Sequence, residues 1–500
     1  MKQTVIPIVI SLCVVIAAWV GIMSLTPAST TPAGGESAEP LVVHCAAGIR
    51  KPIEELAADF EARYGVPVKL NYSNSGALLA QIEVHPAGDL YIPADLSYIA
   101  QGREKGLVAE AIELSRFHVV LAVAPGNPKG IATLGDALRD DVTLAVGNAE
   151  ASIGRSARRH LKAADRWSQV ESAIKVELPT VTELAGAVQA GSIDCAIVWD
   201  ATARQFGLSV VEIPEFAHSV ARTHAGLLTT SKQPTAALRF ARFLAAPDEG
   251  QKVFAKYDYE TIEGDPWAWT PEITLFSGGV NRVAIEDTLK SLEEREGCRI
   301  TTVYNGCGVL VADMKAGSRP DAYFACDVSF ARDVSDLFGD FTSVSETDML
   351  MLVRQGNPRG ITKLADLADS GVRVGLADPV RSALGALTQR LLTEMNLADA
   401  VNANLKVTSG TADFLVAQLL AGDQLDAVVV YRANCTHVGD QAELIDIDHE
   451  LATAIQPIAA SRSTKYPRLV SRLVDQIHSP DSRAKFETRG FRWVEAGARP

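Results

Sequence analysis

Apolar residues in this chain gather into short blocks that alternate with amphipathic stretches of helical period. Leu41-Val42-Val43-His44-Cys45 reads as a buried strand, and Pro52 to Tyr64 as an amphipathic helix with proline in its first turn. Val66 to Tyr72 then reads as a strand, Ser75 to Glu83 as a helix, Asp89 to Ile92 as a strand and Leu96 to Lys105 as a helix. A longer apolar strand, Phe117 to Ala124, ends in a Pro-Gly-Asn-Pro turn. A second series follows it: Val142 to Val146, a helix over Arg155 to Ala163, Lys175 to Glu177, a helix from Val181 to Ala190, and Ala196 to Trp199. Helices over Thr235 to Ala245 and Asp248 to Lys256 complete the pattern. Strands alternating with helices predict an α/β fold with a mainly parallel sheet, and two such series predict two lobes around a cleft. Loops at the carboxyl ends of the strands would line that cleft.

The whole pattern then repeats. Asn74-Ser75-Gly76 followed by Gly88-Asp89-Leu90-Tyr91 and Ala94-Asp95 returns as Gly306-Cys307-Gly308 followed by Pro320-Asp321-Ala322-Tyr323 and Cys326-Asp327. Pro125-Gly126-Asn127-Pro128-Lys129-Gly130-Ile131 returns as Gln355-Gly356-Asn357-Pro358-Arg359-Gly360-Ile361, and Asp194 to Trp199 as Asp426 to Tyr431. The period of about 230 residues is domain-sized, far beyond that of a solenoid. The expected layout is residues 41–260 as one domain, 261–271 as a connector and 272–500 as the second domain. Cys45 corresponds to Ser277, Cys195 to Ala427, Cys307 to Ser75 and Cys326 to Ala94, so the copies share no cysteine pair. A bridge private to the second domain stays open.

Composition narrows the function. With 500 residues and 47% hydrophobic content there is material for two cores, and a net charge of −14 argues against a nucleic-acid partner. A small anion is compatible with that charge, because backbone N–H groups at helix N-termini hold anions without formal charge. Residues 1–25 carry Lys2 and an apolar run from Val5 to Leu25, of roughly the 20 residues that span a bilayer. They are read as an anchor, with a cleaved export signal as the other reading, and residues 26–40 as a flexible linker. Both readings place the bulk of the chain outside the cytoplasm. Cys13 lacks the small-residue pair of a lipoprotein signal.

Four loops per copy lead from a strand into a helix, and their residues are small or hydroxylic. Ser75 is expected to cap its helix, and Thr180 with Glu183 to form a capping box. These residues, with Gly88-Asp89-Leu90-Tyr91, Gly126-Asn127-Pro128, Ile197-Val198-Trp199 and Ala246-Pro247-Asp248, resemble the molybdate- and tungstate-binding proteins of ABC importers. The resemblance covers each domain almost end to end. It implies two tandem type II periplasmic-binding domains, each two-lobed with a central ligand cleft. It places the ligand-binding positions on Gly48, Ser75, Ile153, Val181 and Trp199 in the first copy, and on Val280, Cys307, Leu384, Ala412 and Tyr431 in the second. A serine hydroxyl of the family is missing at Gly48 and Val280, and Cys307 supplies a weak donor where Ser75 supplies a good one.

The function this implies is capture of a small oxyanion for an ABC permease by a monomeric, membrane-tethered receptor. No catalytic residue, metal or cofactor is expected. The alternative is a sensory or scaffolding ectodomain in which one copy binds ligand and the other a partner. A soft-metal site of Cys307 and Cys326 with Met314 or His437 competes with a disulfide or two buried thiols, which are preferred. A Cys307–His437 catalytic pair lacks a second partner for the base. Asp89 and Asp95, with their repeats Asp321 and Asp327, are read as caps, and Arg155, Arg158, Arg159 and His160 as a solvated face.

Overall fold

The computed structural model describes residues 39–495. The expected anchor and nearly all of the linker lie outside the described residues. Among the described residues no helix is long and apolar enough to cross a membrane.

The first copy contains nine strands: β1 (Leu41–Ala46), β2 (Val68–Ser73), β3 (Leu90–Ile92), β4 (Val108–Val123), β5 (Leu144–Gly147), β6 (Ile174–Leu178), β7 (Cys195–Trp199), β8 (Ser209–Val211) and β9 (Val220–Leu228). Their order is β2-β1-β3-β9-β4-β7-β5-β6, with β8 beside β4. One lobe is built on β1 with its parallel partners β2 and β3, and the other on β5 with its parallel partners β6 and β7. Between them β9 and β4 run antiparallel. The 16-residue β4 belongs to both lobes, pairing with β9 over Val108–His118 and with β7 over Val119–Val123. Each lobe therefore has the expected parallel core, and the crossing strands β4 and β9 make the sheet as a whole mixed. Crossing between two lobes requires strands that leave one and enter the other. These are the strands the hydrophobic pattern hides, since Glu110 and Glu113 in β4 and Arg222 and His224 in β9 break up their apolar runs.

Among the described residues the second copy has ten strands: β10 (Glu272–Gly278), β11 (Arg299–Asn305), β12 (Ala322–Phe324), β13 (Thr342–Arg354), β14 (Val374–Ala377), β15 (Leu405–Ser409), β16 (Ala427–Tyr431), β17 (Ala442–Asp446), β18 (Thr453–Ala460) and β19 (Arg492–Trp493). The order β11-β10-β12-β18-β13-β16-β14-β15 reproduces the first copy strand for strand. The repeated turn motif has a local cause. Asn127 and Asn357 both adopt positive φ, and each side chain bonds the backbone N–H and C=O of the isoleucine four residues on. Asparagine tolerates that conformation better than other side-chain-bearing residues.

Each copy has its own large core, and a smaller apolar cluster lies under its first lobe. The copies are also joined. Trp269 of the connector stacks on Tyr64 at 4.8 Å, and the Trp267 indole donates to the Tyr64 hydroxyl at 2.7 Å. The helix Pro234–Ala245 packs on the second copy's helix Arg282–Glu296. There the buried Glu296 carboxylate receives Arg242 of the first copy at 3.0 Å and Arg472 of the second at 2.6 Å. Burial alone would raise the Glu296 carboxyl. Arg472 and Arg242 more than offset it and hold the group below the usual carboxylate range.

Candidate ligand clefts

The first cleft is a small cavity of about 20 Å³ between the lobes, far below the roughly 300–1,000 Å³ usual for small-molecule pockets. Gly48, Ser75, Ile153, Val181 and Trp199 all line it. Ser75 stands one residue inside its helix, Ser75–Val84, and the cap is Asn74, whose Oδ1 accepts the Ala77 N–H at 2.8 Å. The expected cap at Ser75 is thus corrected, and its hydroxyl is free for other work. That hydroxyl is buried and accepts twice, from the Ala94 N–H at 3.1 Å and from the Ser152 hydroxyl at 2.7 Å. With both lone pairs engaged, the Ser75 proton is what remains to bond. Its backbone carbonyl is also held, by the Tyr91 hydroxyl at 2.6 Å.

Several contacts close the two lobes over this site. Besides Ser75–Ser152, the Gly76 N–H donates to the Glu150 carbonyl at 3.0 Å and the Tyr98 hydroxyl to the same carbonyl at 2.7 Å. A Cβ on Gly76 would stand 2.6 Å from that oxygen, so only glycine permits the approach. Arg155 lies over the Tyr98 ring at 4.4 Å, and Arg159 reaches Asp95 at 3.9 Å. Arg158 bonds the Gly147 carbonyl and Glu177. These arginines have partners within the domain, which corrects their reading as a solvated face. Asp95 and Asp327 are helix caps, whereas Asp89 and Asp321 accept from the strand amides of Val42 and Thr274.

The remaining donors come from helix starts and one indole. Ile153 is the second residue of the helix Ser152–Ala163, whose N-cap Ala151 has no side chain to spend on its amides. Val181 opens the helix Val181–Gln189. There Thr180 and Glu183 form the expected capping box, so the Thr180 hydroxyl is occupied. Trp199 is buried edge-on to Phe117 at 4.7 Å. A Cβ on Gly48 would meet Val181 Cγ1 at 2.8 Å, so the valine fills the space a longer residue would take. Two residues escaped the sequence reading. Ser152 makes the interlobe bond, and Thr202, near Gly48, has a buried hydroxyl without a partner. Thr202 sits on a six-residue helix, Asp200–Gln205, too short to show helical period.

The second cleft, of about 30 Å³, is lined by Val280, Leu384, Ala412 and Tyr431 together with Ser382, Asp413 and Asn434. Cys307 is absent from that lining. It is fully buried and disulfide-bonded to Cys326, with the Cα atoms 6.4 Å apart. Its sulfur accepts the Cys326 N–H at 3.0 Å, as Ser75 Oγ accepts the Ala94 N–H. The expectation that Cys307 faces a ligand is corrected: the bond to Cys326 leaves the sulfur no proton to offer. The disulfide equally removes the thiolate that a soft-metal site or a nucleophile would need. Met314 is buried in the small cluster and His437 is exposed. Cys45, Cys195, Cys298 and Cys435 are free and buried, and burial pushes the last three thiols to about 12.

Small and large residues change places between the clefts, Gly48 and Val181 in the first against Val280 and Ala412 in the second. The Tyr431 hydroxyl is buried and has no partner, and burial lifts its pKa well above the usual phenol range.

The family model for bacterial extracellular solute-binding proteins matches residues 41–260 and again residues 273–492. A Haemophilus influenzae protein that carries only a general binding-protein name is 26% identical over 223 residues, 44% of this chain and 90% of its own length. The molybdate-binding protein ModA of Mycobacterium tuberculosis is 25% identical over 241 residues, 46% of this chain and 88% of ModA. Among solved structures, the periplasmic molybdate-binding protein of Azotobacter vinelandii aligns with a TM-score of 0.39 and 17% identity, covering 45% of this chain and 100% of its own. Each relative has the extent of one copy, and the family model is met by both. The chain belongs to the family of bacterial extracellular solute-binding proteins and carries that family's domain twice.

Proposed function

We propose that the first cleft captures a small tetrahedral oxyanion of the molybdate or tungstate type, and that the protein presents it to an ABC permease from outside the cytoplasm, tethered by its N-terminal apolar segment. The observation that carries this reading is the hydroxyl of Ser75. With its lone pairs engaged by Ala94 and Ser152, it offers a proton and no acceptor. The amides at the start of the helix Ser152–Ala163 and the indole of Trp199 add donors, and the small cavity suits an ion rather than a larger solute. An oxyanion needs such donors and is repelled by acceptors, and two helix N-termini favour its charge. The relative named as a molybdate-binding protein supports the same ligand class.

Calorimetric titration of the full-length protein with molybdate, tungstate, sulfate and phosphate tests it. At least one should bind, and Ser75→Ala should weaken that binding by about 10- to 100-fold, since a hydrogen bond to a charged group contributes about 1.5–3 kcal/mol. No binding of any of the four anions, or binding indifferent to Ser75→Ala, sinks the proposal.

A further inference from the structure

Position by position, the second copy has Asp413, Asn434 and Tyr431 in its cleft where the first copy has Thr182, Thr202 and Trp199. The Asn434 Nδ2 donates to the Asp413 carboxylate at 2.8 Å. A carboxylate only accepts, so this bond fixes the amide's orientation and leaves Asn434 Oδ1 as the free end. That oxygen is buried and has no partner, and neither has the Tyr431 hydroxyl. Both residues are more than nine-tenths buried and line the cavity. Buried polar atoms without partners are rare and costly, and two on one cavity wall point to a ligand that completes them. One of them is a pure acceptor, and the charge beside it is negative. The disulfide has meanwhile removed the proton that Ser75 offers at the matching place in the first cleft.

The same cavity also offers donors. The helices Ala383–Glu394 and Ala412–Ala421 start at the cavity, and neither Ser382 nor Thr411 spends its side chain on capping them. Their first amides are open to an acceptor.

We propose that the second cleft binds a small zwitterion of the amino-acid class in place of an oxyanion. Its carboxylate lies on the helix-start amides near Leu384, and its ammonium group lies against Asn434 Oδ1 and Asp413. A bare oxyanion would meet the Asp413 charge and the amide oxygen with nothing to donate to them. The inference stands whether or not the first cleft takes an oxyanion.

The test is calorimetry of the full-length protein with glycine, L-alanine, L-serine and β-alanine, in a Ser75→Ala background that weakens the first cleft. One or more should bind with 1:1 stoichiometry, and Asp413→Asn or Tyr431→Phe should weaken binding at least tenfold. Asp413→Thr, which restores the first copy's residue type, should do the same, and circular dichroism checks that each variant is folded. A purely structural role for Asp413, as an acid in the first helical turn, would shift the melting temperature and leave the choice of ligand unchanged. Lack of binding by all four compounds overturns the proposal. So does a molybdate or sulfate event in this background that Tyr431→Phe weakens, which would make the second cleft an anion site. Failure of the oxyanion reading shows separately, as molybdate binding in the Ser75 protein that is absent or unaffected by Ser75→Ala.

Discussion

Glu296→Gln is expected to destabilise the junction of the two copies by about 3–5 kcal/mol, because it leaves the buried Arg242 guanidinium and the partly buried Arg472 guanidinium without their counter-charge. Glutamine keeps the volume of the side chain, so packing is conserved and the loss is electrostatic. Arg242 comes from the first copy and Arg472 from the second, so the carboxylate acts as a pin between them. Partners at the periphery of the junction, such as Arg295 with Glu110, are partly exposed and worth less. At about 2–4 °C per kcal/mol for units of 150–250 residues, calorimetry should show a melting shift of about 6–20 °C. The domains should also melt more independently. A shift under about 2 °C would show that the pin adds little. The pH dependence has a definite sign. A carboxyl held below its usual range stabilises the protein above its unfolded-state pKa of about 4.3, and that contribution fades as pH falls through the lower folded value. The gap between the parent protein and Glu296→Gln should therefore be full at neutral pH and shrink below about pH 4.

A second large effect is expected at Gly278, which matches Ala46 in the first copy. The backbone does not demand glycine there: Gly278 has φ −57° and ψ 136°, and Ala46 has φ −60° and ψ 133°. The demand comes from the disulfide. A Cβ on Gly278 would stand 2.2 Å from Cys326 Sγ and 3.1 Å from Cys307 Sγ. Gly278→Ala should therefore cost about 1–3 kcal/mol as overpacking with the bridge intact, or prevent the bridge from forming. Loss of the bridge should itself cost about 3 kcal/mol for a loop of this length, by the chain-entropy account. The decisive comparison uses the first copy's residues. In a Cys307→Ser, Cys326→Ala background, Gly278→Ala should be nearly neutral, because three positions then match the arrangement of Ser75, Ala94 and Ala46. Denaturant melts of the four proteins, with thiol counts, give the coupling. Equal cost of Gly278→Ala in both backgrounds would separate the glycine from the disulfide.

Much of this was legible in the residues. The spacing of Gly76, Asp89 and Tyr91, repeated at Gly308, Asp321 and Tyr323, shows two copies of one domain, because strand and helix patterns depend on near neighbours. The family resemblance carried by the residues placed the site on Gly48, Ser75, Ile153, Val181 and Trp199, which converge on one cavity because the carboxyl ends of neighbouring strands and the loops after them must meet. Less legible were β9 and the first half of β4, where charged residues alternate with apolar ones on strands that pass between lobes. Ser152, within one of the strand-to-helix loops, and Thr202 were not singled out from sequence, since their significance comes from Ser75, 77 residues from Ser152, and from Gly48.

The sequence by itself determined that the chain is a duplicated α/β domain and which loops border its clefts, because periodicity, turn chemistry and capping are set within a few residues. Only the tertiary structure decided what each cleft offers a ligand. The character of a buried hydroxyl, amide or sulfur depends on which of its bonds are already taken. Ala94 and Ser152 leave Ser75 its proton, Cys326 leaves Cys307 none, and Asp413 turns the Asn434 oxygen toward a free bond. Those partners lie on other elements of the fold, and local patterning carries no record of them.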